Sequence, residues 1–164
     1  MLSLARNLVA EQRFAFDLMV DYAKKIVKCR KNDQPLPKAP CLVITGGAGT
    51  GKSFCIKSIS KWTETILRRS GDHPNLPRVL IVAPTGIAAS LIDGITLDSA
   101  FNFKFGSRDN SISDGKIDHF RNALKDFKAV IGDEFSLIGS DKLIRTHCRF
   151  KVIFQTDIRD LFAN

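Results

Sequence analysis

The sequence has few cysteines and no long hydrophobic run, and each shortage excludes a class of protein. The four cysteines form no Cys-x-x-Cys pair and have no histidine at metal-ligand spacing, so neither a zinc site nor a disulfide framework is expected. Reduced thiols favour an intracellular protein. The longest apolar runs, such as Val79–Ala83, have about five residues, whereas a membrane-spanning helix needs about 20. No membrane segment is therefore expected. Arg6 and Glu11 would interrupt an apolar core at the N-terminus, so no secretory signal is expected either.

What the chain does contain is the composition of an ordinary globular domain. Its 164 residues suffice for one domain, and 44% hydrophobic with 26% charged residues argues against disorder. The formal charge of +8 makes a polyanionic partner plausible. No internal repeat and no low-complexity segment is evident.

Apolar periodicity and the positions of proline and glycine predict strands that alternate with helices. In the first helix, Phe14, Leu18, Tyr22 and Ile26 recur every four residues and are expected to share the apolar face. Helices are expected over residues 11–29, 52–69, 86–92, 97–103 and 117–125, and buried strands over 41–45, 78–83 and 129–131. This alternation predicts an α/β fold with a doubly wound parallel sheet.

The chain divides into three expected parts. Residues 1–40 should form an N-terminal helix and a proline-containing linker, and residues 41–143 the sheet domain. Residues 144–164 are expected to be a poorly ordered tail.

The strongest motif is a phosphate-binding loop. Residues 46–53 fit G-x-x-x-x-G-K-[ST] in full, between an expected strand and an expected helix. Glycines let backbone N–H groups turn toward a phosphate, and the helix that follows directs its positive dipole end at the same anion. Lys52 is expected to offer its charge to the β- and γ-phosphates, and Ser53 its hydroxyl to Mg²⁺. The candidate nucleotide-binding residues of the loop are Gly46, Gly47, Ala48, Gly49, Thr50, Gly51, Lys52 and Ser53.

Two adjacent carboxylates, Asp133 and Glu134, follow the expected strand 129–131 after a single glycine. Open α/β sheets bind ligands at the carboxyl ends of their strands. Asp133 is a candidate for holding Mg²⁺, and Glu134 for orienting and deprotonating an attacking water. An acidic pair alone is usually a solvated turn, but the phosphate loop strengthens the functional interpretation. The candidate catalytic residues are Lys52, Asp133 and Glu134.

The chain resembles the Pif-type (petite integration frequency) DNA helicases of superfamily 1. Five stretches carry the resemblance in the family's order, and the most discriminating are Ala-Pro-Thr-Gly-Ile-Ala-Ala and Gly-Ile-Thr-Leu-Asp-Ser-Ala-Phe. The five stretches are residues 11–13, 46–53, 83–89, 94–101 and 133–136. The resemblance implies a RecA-like phosphate-loop NTPase domain that uses ATP as substrate with Mg²⁺ as cofactor. It also implies a motor that travels 5′ to 3′ along single-stranded DNA and unwinds duplex. The expected location is intracellular, in the nucleus.

The resemblance assigns roles to several polar residues. It places Gln12 on the adenine edge, where an amide can donate and accept at once, while a solvated helix glutamine is the alternative. It places Thr85, Gly86 and Thr96 on single-stranded DNA, and the alternative for Thr85 is a helix cap. Family members usually carry histidine where this chain has Asp98, and a carboxylate there would repel a DNA phosphate.

Three phenylalanines follow the DNA-contact stretch at every second position. Phe101, Phe103 and Phe105 could stack on bases. Alternating aromatic residues are more often part of a core, so both interpretations stay open.

The motif Gly-Asp-x-x-Gln-Leu-Pro-Pro, which the family carries next, does not follow the acidic pair. We therefore expect an incomplete first motor domain of a truncated helicase, without a second RecA-like domain. One alternative is a nucleotide-binding module without turnover. Another is a small-molecule phosphotransferase, for which residues 106–115 would be the only lid candidate.

Overall fold

A three-stranded parallel sheet forms the centre of the computed structural model, which describes residues 6–69, 72–73, 76–104 and 111–155. Strand β1 is Val79–Ala83, β2 is Ile95–Thr96 and β3 is Ala129–Gly132, and the strands lie in the order β2, β1, β3. The predicted strands 78–83 and 129–131 are thus confirmed. Strand β2 was not predicted, because two residues are too few to show alternation.

The five predicted helices are present in the predicted order, with small shifts at their ends, and one further helix follows them. They are α1 (Ala10–Lys31), α2 (Lys52–Leu67), α3 (Gly86–Leu91), α4 (Leu97–Phe101), α5 (Asp114–Ala123) and α6 (Ser140–Phe154), with a 3₁₀ helix at Phe135–Leu137. No helix within the described ranges combines the length and the apolar character needed to cross a bilayer.

Helices cover both faces of the sheet, because successive strand side chains point to opposite sides. Ala129 and Ile131 pack against the core between α1 and α2. Leu80 and Val82 belong to a second cluster with residues of α4 and α6, which includes Phe101 and Phe150. The fold is therefore the predicted α/β arrangement with helices on either side of a parallel sheet.

The buried face of α1 differs from the predicted one. Phe14 is 69% exposed, and Leu18 is also exposed, whereas Ile26 is buried. Residues four apart advance by about 40° on a helix, so a long run of such steps drifts around the axis and cannot stay on one face. Steps of three and four keep the contact face of α1 in place, at Ala15, Phe16, Met19, Val20, Ala23 and Ile26.

The apolar run 41–45 is not the buried strand that was predicted. These residues have irregular backbone and are exposed, with Val43 at 62%. A strand needs a neighbour that pairs with its backbone groups. Within the described residues, the sheet contains only β1, β2 and β3, and the run 41–45 pairs with none of them.

The prediction of poor order from residue 144 onward is wrong for residues 144–154, which lie in α6. Phe150 and Ile153 on this helix are buried, and Phe150 packs in the cluster that includes Leu80 and Val82 of β1, so apolar burial stabilises the helix. Residues 156–164 of the predicted tail lie outside the described residues. Half of the proposed lid, residues 106–110, also lies outside the described residues, and α5 begins at Asp114.

Candidate nucleotide site

The loop 46–53 wraps into the start of α2, which begins at Lys52. Gly49 and Gly51 both have a φ of +76°, a left-handed conformation that glycine adopts at no steric cost. The Thr50 hydroxyl donates to the Gly47 carbonyl at 2.9 Å and closes the loop on itself. A Cβ atom at Gly46 would lie 2.8 Å from Thr50 Oγ1, so a side chain at that position would disturb this contact.

The Lys52 ammonium lies over the loop. Its Nζ donates to the carbonyl oxygens of Gly46 at 2.8 Å and Gly47 at 2.7 Å. A flexible ammonium with three donors can exchange such carbonyls for phosphate oxygens. The lysine therefore has the reach that phosphate binding in the loop requires.

Ser53 and Asp133 meet at the carboxyl end of the sheet. Ser53 Oγ donates to Asp133 Oδ2 at 2.9 Å. Asp133 is buried, and its backbone N–H donates to the Val82 carbonyl at 3.0 Å, which fixes the carboxylate beside β1. A hydroxyl and a carboxylate oxygen are hard ligands of the kind Mg²⁺ takes together with substrate phosphates, so this pair suits the ion. The described residues hold no cluster of three or more metal-ligating side chains.

Glu134 leaves the sheet in an unusual backbone conformation. Its φ of +52° and ψ of +40° are left-handed, which is uncommon for a residue with a side chain. Its N–H donates to Asp133 Oδ1 at 2.8 Å, and the residue is exposed. The turn directs the two neighbouring carboxylates differently, one toward Ser53 and one into solvent.

Gln12 is in contact with the loop. Its Nε2 donates to the Thr50 carbonyl at 2.9 Å, and its Oε1 accepts from the Val9 N–H at 3.3 Å. The alternative of a merely solvated glutamine is therefore wrong. An adenine contact from Gln12 stays a prediction.

Thr85 and Thr96 both cap helices at the same edge of the sheet. Thr85 Oγ1 accepts from the Ala88 N–H at 3.2 Å and begins α3. Thr96 Oγ1 accepts from the Ser99 N–H at 3.2 Å and donates to the Ser99 hydroxyl at 2.8 Å. Thr85 lies two residues after the end of β1, and Thr96 is the last residue of the parallel strand β2, so both share an edge with Asp133. The capping role predicted for Thr85 is confirmed, and DNA contact by Thr85, Gly86 and Thr96 stays a prediction.

Phe101 and Phe103 are core residues. Phe101 is fully buried and Phe103 nearly so, and both pack in the cluster of α4 and α6. Their stacking on bases is therefore excluded in this conformation, and Phe105 lies outside the described residues.

Asp98 is paired with a residue that sequence reasoning missed. Lys142 Nζ lies 2.9 Å from Asp98 Oδ2, and both side chains are about one-third exposed. The ammonium of Lys142 on α6 offsets the carboxylate that was expected to repel DNA. Sequence spacing gives no signal for this pair, because the two residues lie 44 positions apart in the chain.

A complete phosphate loop beside a buried aspartate, on an α/β sheet, defines a phosphate-loop nucleotide-binding domain. The chain belongs to the family described as AAA domain, whose model matches residues 33–154. Gln12 lies outside that match.

The chain is also similar to the ATP-dependent DNA helicase PIF1 of Emericella nidulans, with 32% identity over 107 residues. The matched region covers 63% of this chain and 14% of the length of that helicase. The Pif-type resemblance drawn from the motifs is thereby confirmed.

Proposed function

We propose that the chain binds ATP with Mg²⁺ and hydrolyses it as part of an ATP-dependent DNA helicase that moves 5′ to 3′ along single-stranded DNA. The observation that carries the proposal is the contact between Ser53 Oγ and Asp133 Oδ2 at 2.9 Å, beside a complete phosphate loop. The sequence similarity to a DNA helicase supports the polynucleotide as the second partner.

Nucleotide binding begins with the loop backbone and Lys52. The N-terminus of α2, a helix of 16 residues, favours negative charge at the loop. When polyphosphate enters, we expect Lys52 Nζ to leave the Gly46 and Gly47 carbonyls for phosphate oxygens. Ser53 and Asp133 would hold Mg²⁺, which offsets the phosphate charge when bound.

Hydrolysis needs a base for the attacking water. Glu134 is exposed and adjacent to Asp133, so its carboxylate can accept a proton while Asp133 remains with Ser53. Single-stranded DNA would lie along the edge that carries Thr85, Gly86 and Thr96. The formal charge of +8 favours such a polyanion.

Steady-state ATP hydrolysis, measured with and without single-stranded DNA, tests the proposal. We expect Mg²⁺-dependent hydrolysis that DNA stimulates, and loss of both binding and turnover in Lys52→Ala. Lys61→Ala is the matched control, because Lys61 is exposed on the same helix. A wild-type chain that fails to bind ATP, or a Lys52→Ala variant with wild-type affinity, would contradict the proposed site. Helicase direction is tested separately, on duplexes with a 5′ or a 3′ single-stranded tail.

A second candidate is a nucleotide-binding module without turnover. The exposed, irregular run 41–45 favours it, because this run leads into the loop without pairing in the sheet. Catalysis depends on fixed geometry more strongly than binding does. Tight ATP binding with no hydrolysis, with or without DNA, would select this candidate.

A further inference from the structure

Gln12 lies where α1, the phosphate loop and α2 meet. Its amide spans two backbone groups, the Thr50 carbonyl at 2.9 Å and the Val9 N–H at 3.3 Å. Its own backbone carbonyl accepts from the Cys55 thiol at 3.7 Å. Burial raises the pKa of the Cys55 thiol, so the sulfur keeps its proton and remains a donor. Three contacts thus hold this one residue of α1 to the loop and to α2.

The contact with Thr50 determines the orientation of one peptide group in the loop. The C=O and N–H of a trans peptide point in opposite directions. Holding the Thr50 carbonyl against Gln12 therefore turns the Gly51 N–H away from Gln12. Gly49 and Gly51, on either side of Thr50, both have a φ of +76°. Glycine rotates with little steric hindrance, so without an outside partner this peptide could adopt other orientations.

The side-chain amide of Gln12 lies close to the backbone of the loop at Gly51. A Cβ atom built on Gly51 would lie 2.8 Å from Gln12 Nε2. Gly51 also precedes the first residue of α2. The amide therefore lies against the backbone at the point where the loop becomes a helix, where N–H groups bind anions.

We propose that Gln12 is a positioning residue for the phosphate loop: it fixes the Thr50–Gly51 peptide and so raises affinity for the polyphosphate part of the ligand, whatever base is attached. The inference rests on the proposed nucleotide site. It differs from adenine recognition, since one donor and one acceptor of the amide are already engaged by the chain itself. The two roles predict different responses to a ligand that has no base.

Calorimetric titration with sodium tripolyphosphate and with ATP, both with Mg²⁺, tests the inference. For Gln12→Ala we expect affinity for both ligands to fall by the same factor, about 3- to 10-fold, which is what losing one ordinary hydrogen bond costs. Gln12→Glu keeps the size and the acceptor but cannot donate to Thr50, and it should lower both affinities at least as much. Glu11→Gln is the matched control, because Glu11 is exposed on the same helical turn.

The outcomes separate the possible errors. Unchanged tripolyphosphate affinity in Gln12→Ala, with weakened ATP, would assign Gln12 to the base alone and overturn the inference. Unchanged affinity for both ligands would overturn it as well. Failure of the wild-type chain to bind either ligand would contradict the proposed nucleotide site itself. Melting temperatures show whether Gln12→Ala folds. If it does not, the affinities of Gln12→Glu for the two ligands test the inference instead.

Discussion

Ser53 and Asp133 lie 80 positions apart in the chain, yet the serine hydroxyl donates to the aspartate at 2.9 Å. The fold brings them together because α2 begins at Lys52 and Asp133 follows β3, both at the carboxyl edge of the sheet. The backbone bond from Asp133 to the Val82 carbonyl fixes the acidic side of the pair. Two hard oxygen groups from distant segments thereby form one potential magnesium site.

The first prediction concerns this pair. Ser53→Ala and Asp133→Asn should each reduce the gain in ATP affinity that Mg²⁺ provides, by at least about tenfold, since even indirect partners of a metal commonly contribute that much. Calorimetry with and without Mg²⁺ measures the gain. Asp141→Asn, at an exposed position at the start of α6, should leave it unchanged. Full Mg²⁺ dependence in Asp133→Asn would place the ion elsewhere.

The second prediction separates binding from turnover at Glu134. Glu134→Gln keeps the shape of the side chain and removes its basicity, so ATP affinity should persist while hydrolysis falls by about 10² to 10⁴. Single-turnover hydrolysis beside equilibrium binding measures both quantities. Equal rates in wild type and variant would remove the base assignment from Glu134.

The third prediction tests whether α6 belongs to the core. Phe150 is buried against Phe101, with ring centroids 5.1 Å apart. Phe150→Ala should lower the free energy of unfolding by about 3 to 5 kcal/mol. Ile144→Ala, at an exposed position of the same helix, should lower it by well under that amount. Urea denaturation measures both, and a loss below about 1 kcal/mol for Phe150→Ala would mean that α6 contributes little to the core.

Local signals in the sequence were sufficient to predict those parts of the site whose residues lie close together in the chain. The loop 46–53 could be predicted because its glycines, lysine and serine together suit phosphate binding and an amphipathic helix follows, whereas the strand expected before it is absent from the sheet of the described residues. The acidic pair could be predicted because it follows a strand that pairs with β1. Thr85 could be predicted as a cap because its hydroxyl acts on a neighbouring N–H group.

Long-range partners were not predictable from the sequence. The run 41–45 has the composition of a strand but pairs with no strand of the described residues. Whether a pairing neighbour exists depends on other segments of the chain, and the composition of the run does not show it. Likewise, the sequence alone predicts that the Asp98 carboxylate repels DNA. In the structure the Lys142 ammonium lies beside this carboxylate and offsets its charge. The hydrogen bond from Gln12 to the Thr50 carbonyl depends on how α1 packs on α2. The spacing of residues along the sequence does not show this packing.

The fourth prediction examines the Asp98–Lys142 pair. Lys142→Gln should leave the Asp98 carboxylate without its neighbouring charge and so weaken binding of single-stranded DNA. Adding Asp98→Asn should restore part of the affinity, because the carboxylate is then gone. Fluorescence anisotropy at low salt measures this, since exposed charges are screened as salt rises. Unchanged DNA affinity in Lys142→Gln would mean that DNA does not approach this pair.

The fifth prediction separates the cap at Thr85 from a DNA contact. Asparagine and aspartate cap helices at least as well as threonine, so Thr85→Asn and Thr85→Asp should both keep the stability of the domain. Only aspartate adds a negative charge where a DNA phosphate is expected. Single-stranded DNA affinity should therefore fall clearly in Thr85→Asp and much less in the neutral Thr85→Asn. Because phosphate contacts release counterions, the affinity of the wild type should also fall steeply with salt. Equal DNA affinity in the two variants, at equal melting temperature, would show that Thr85 caps α3 without touching DNA.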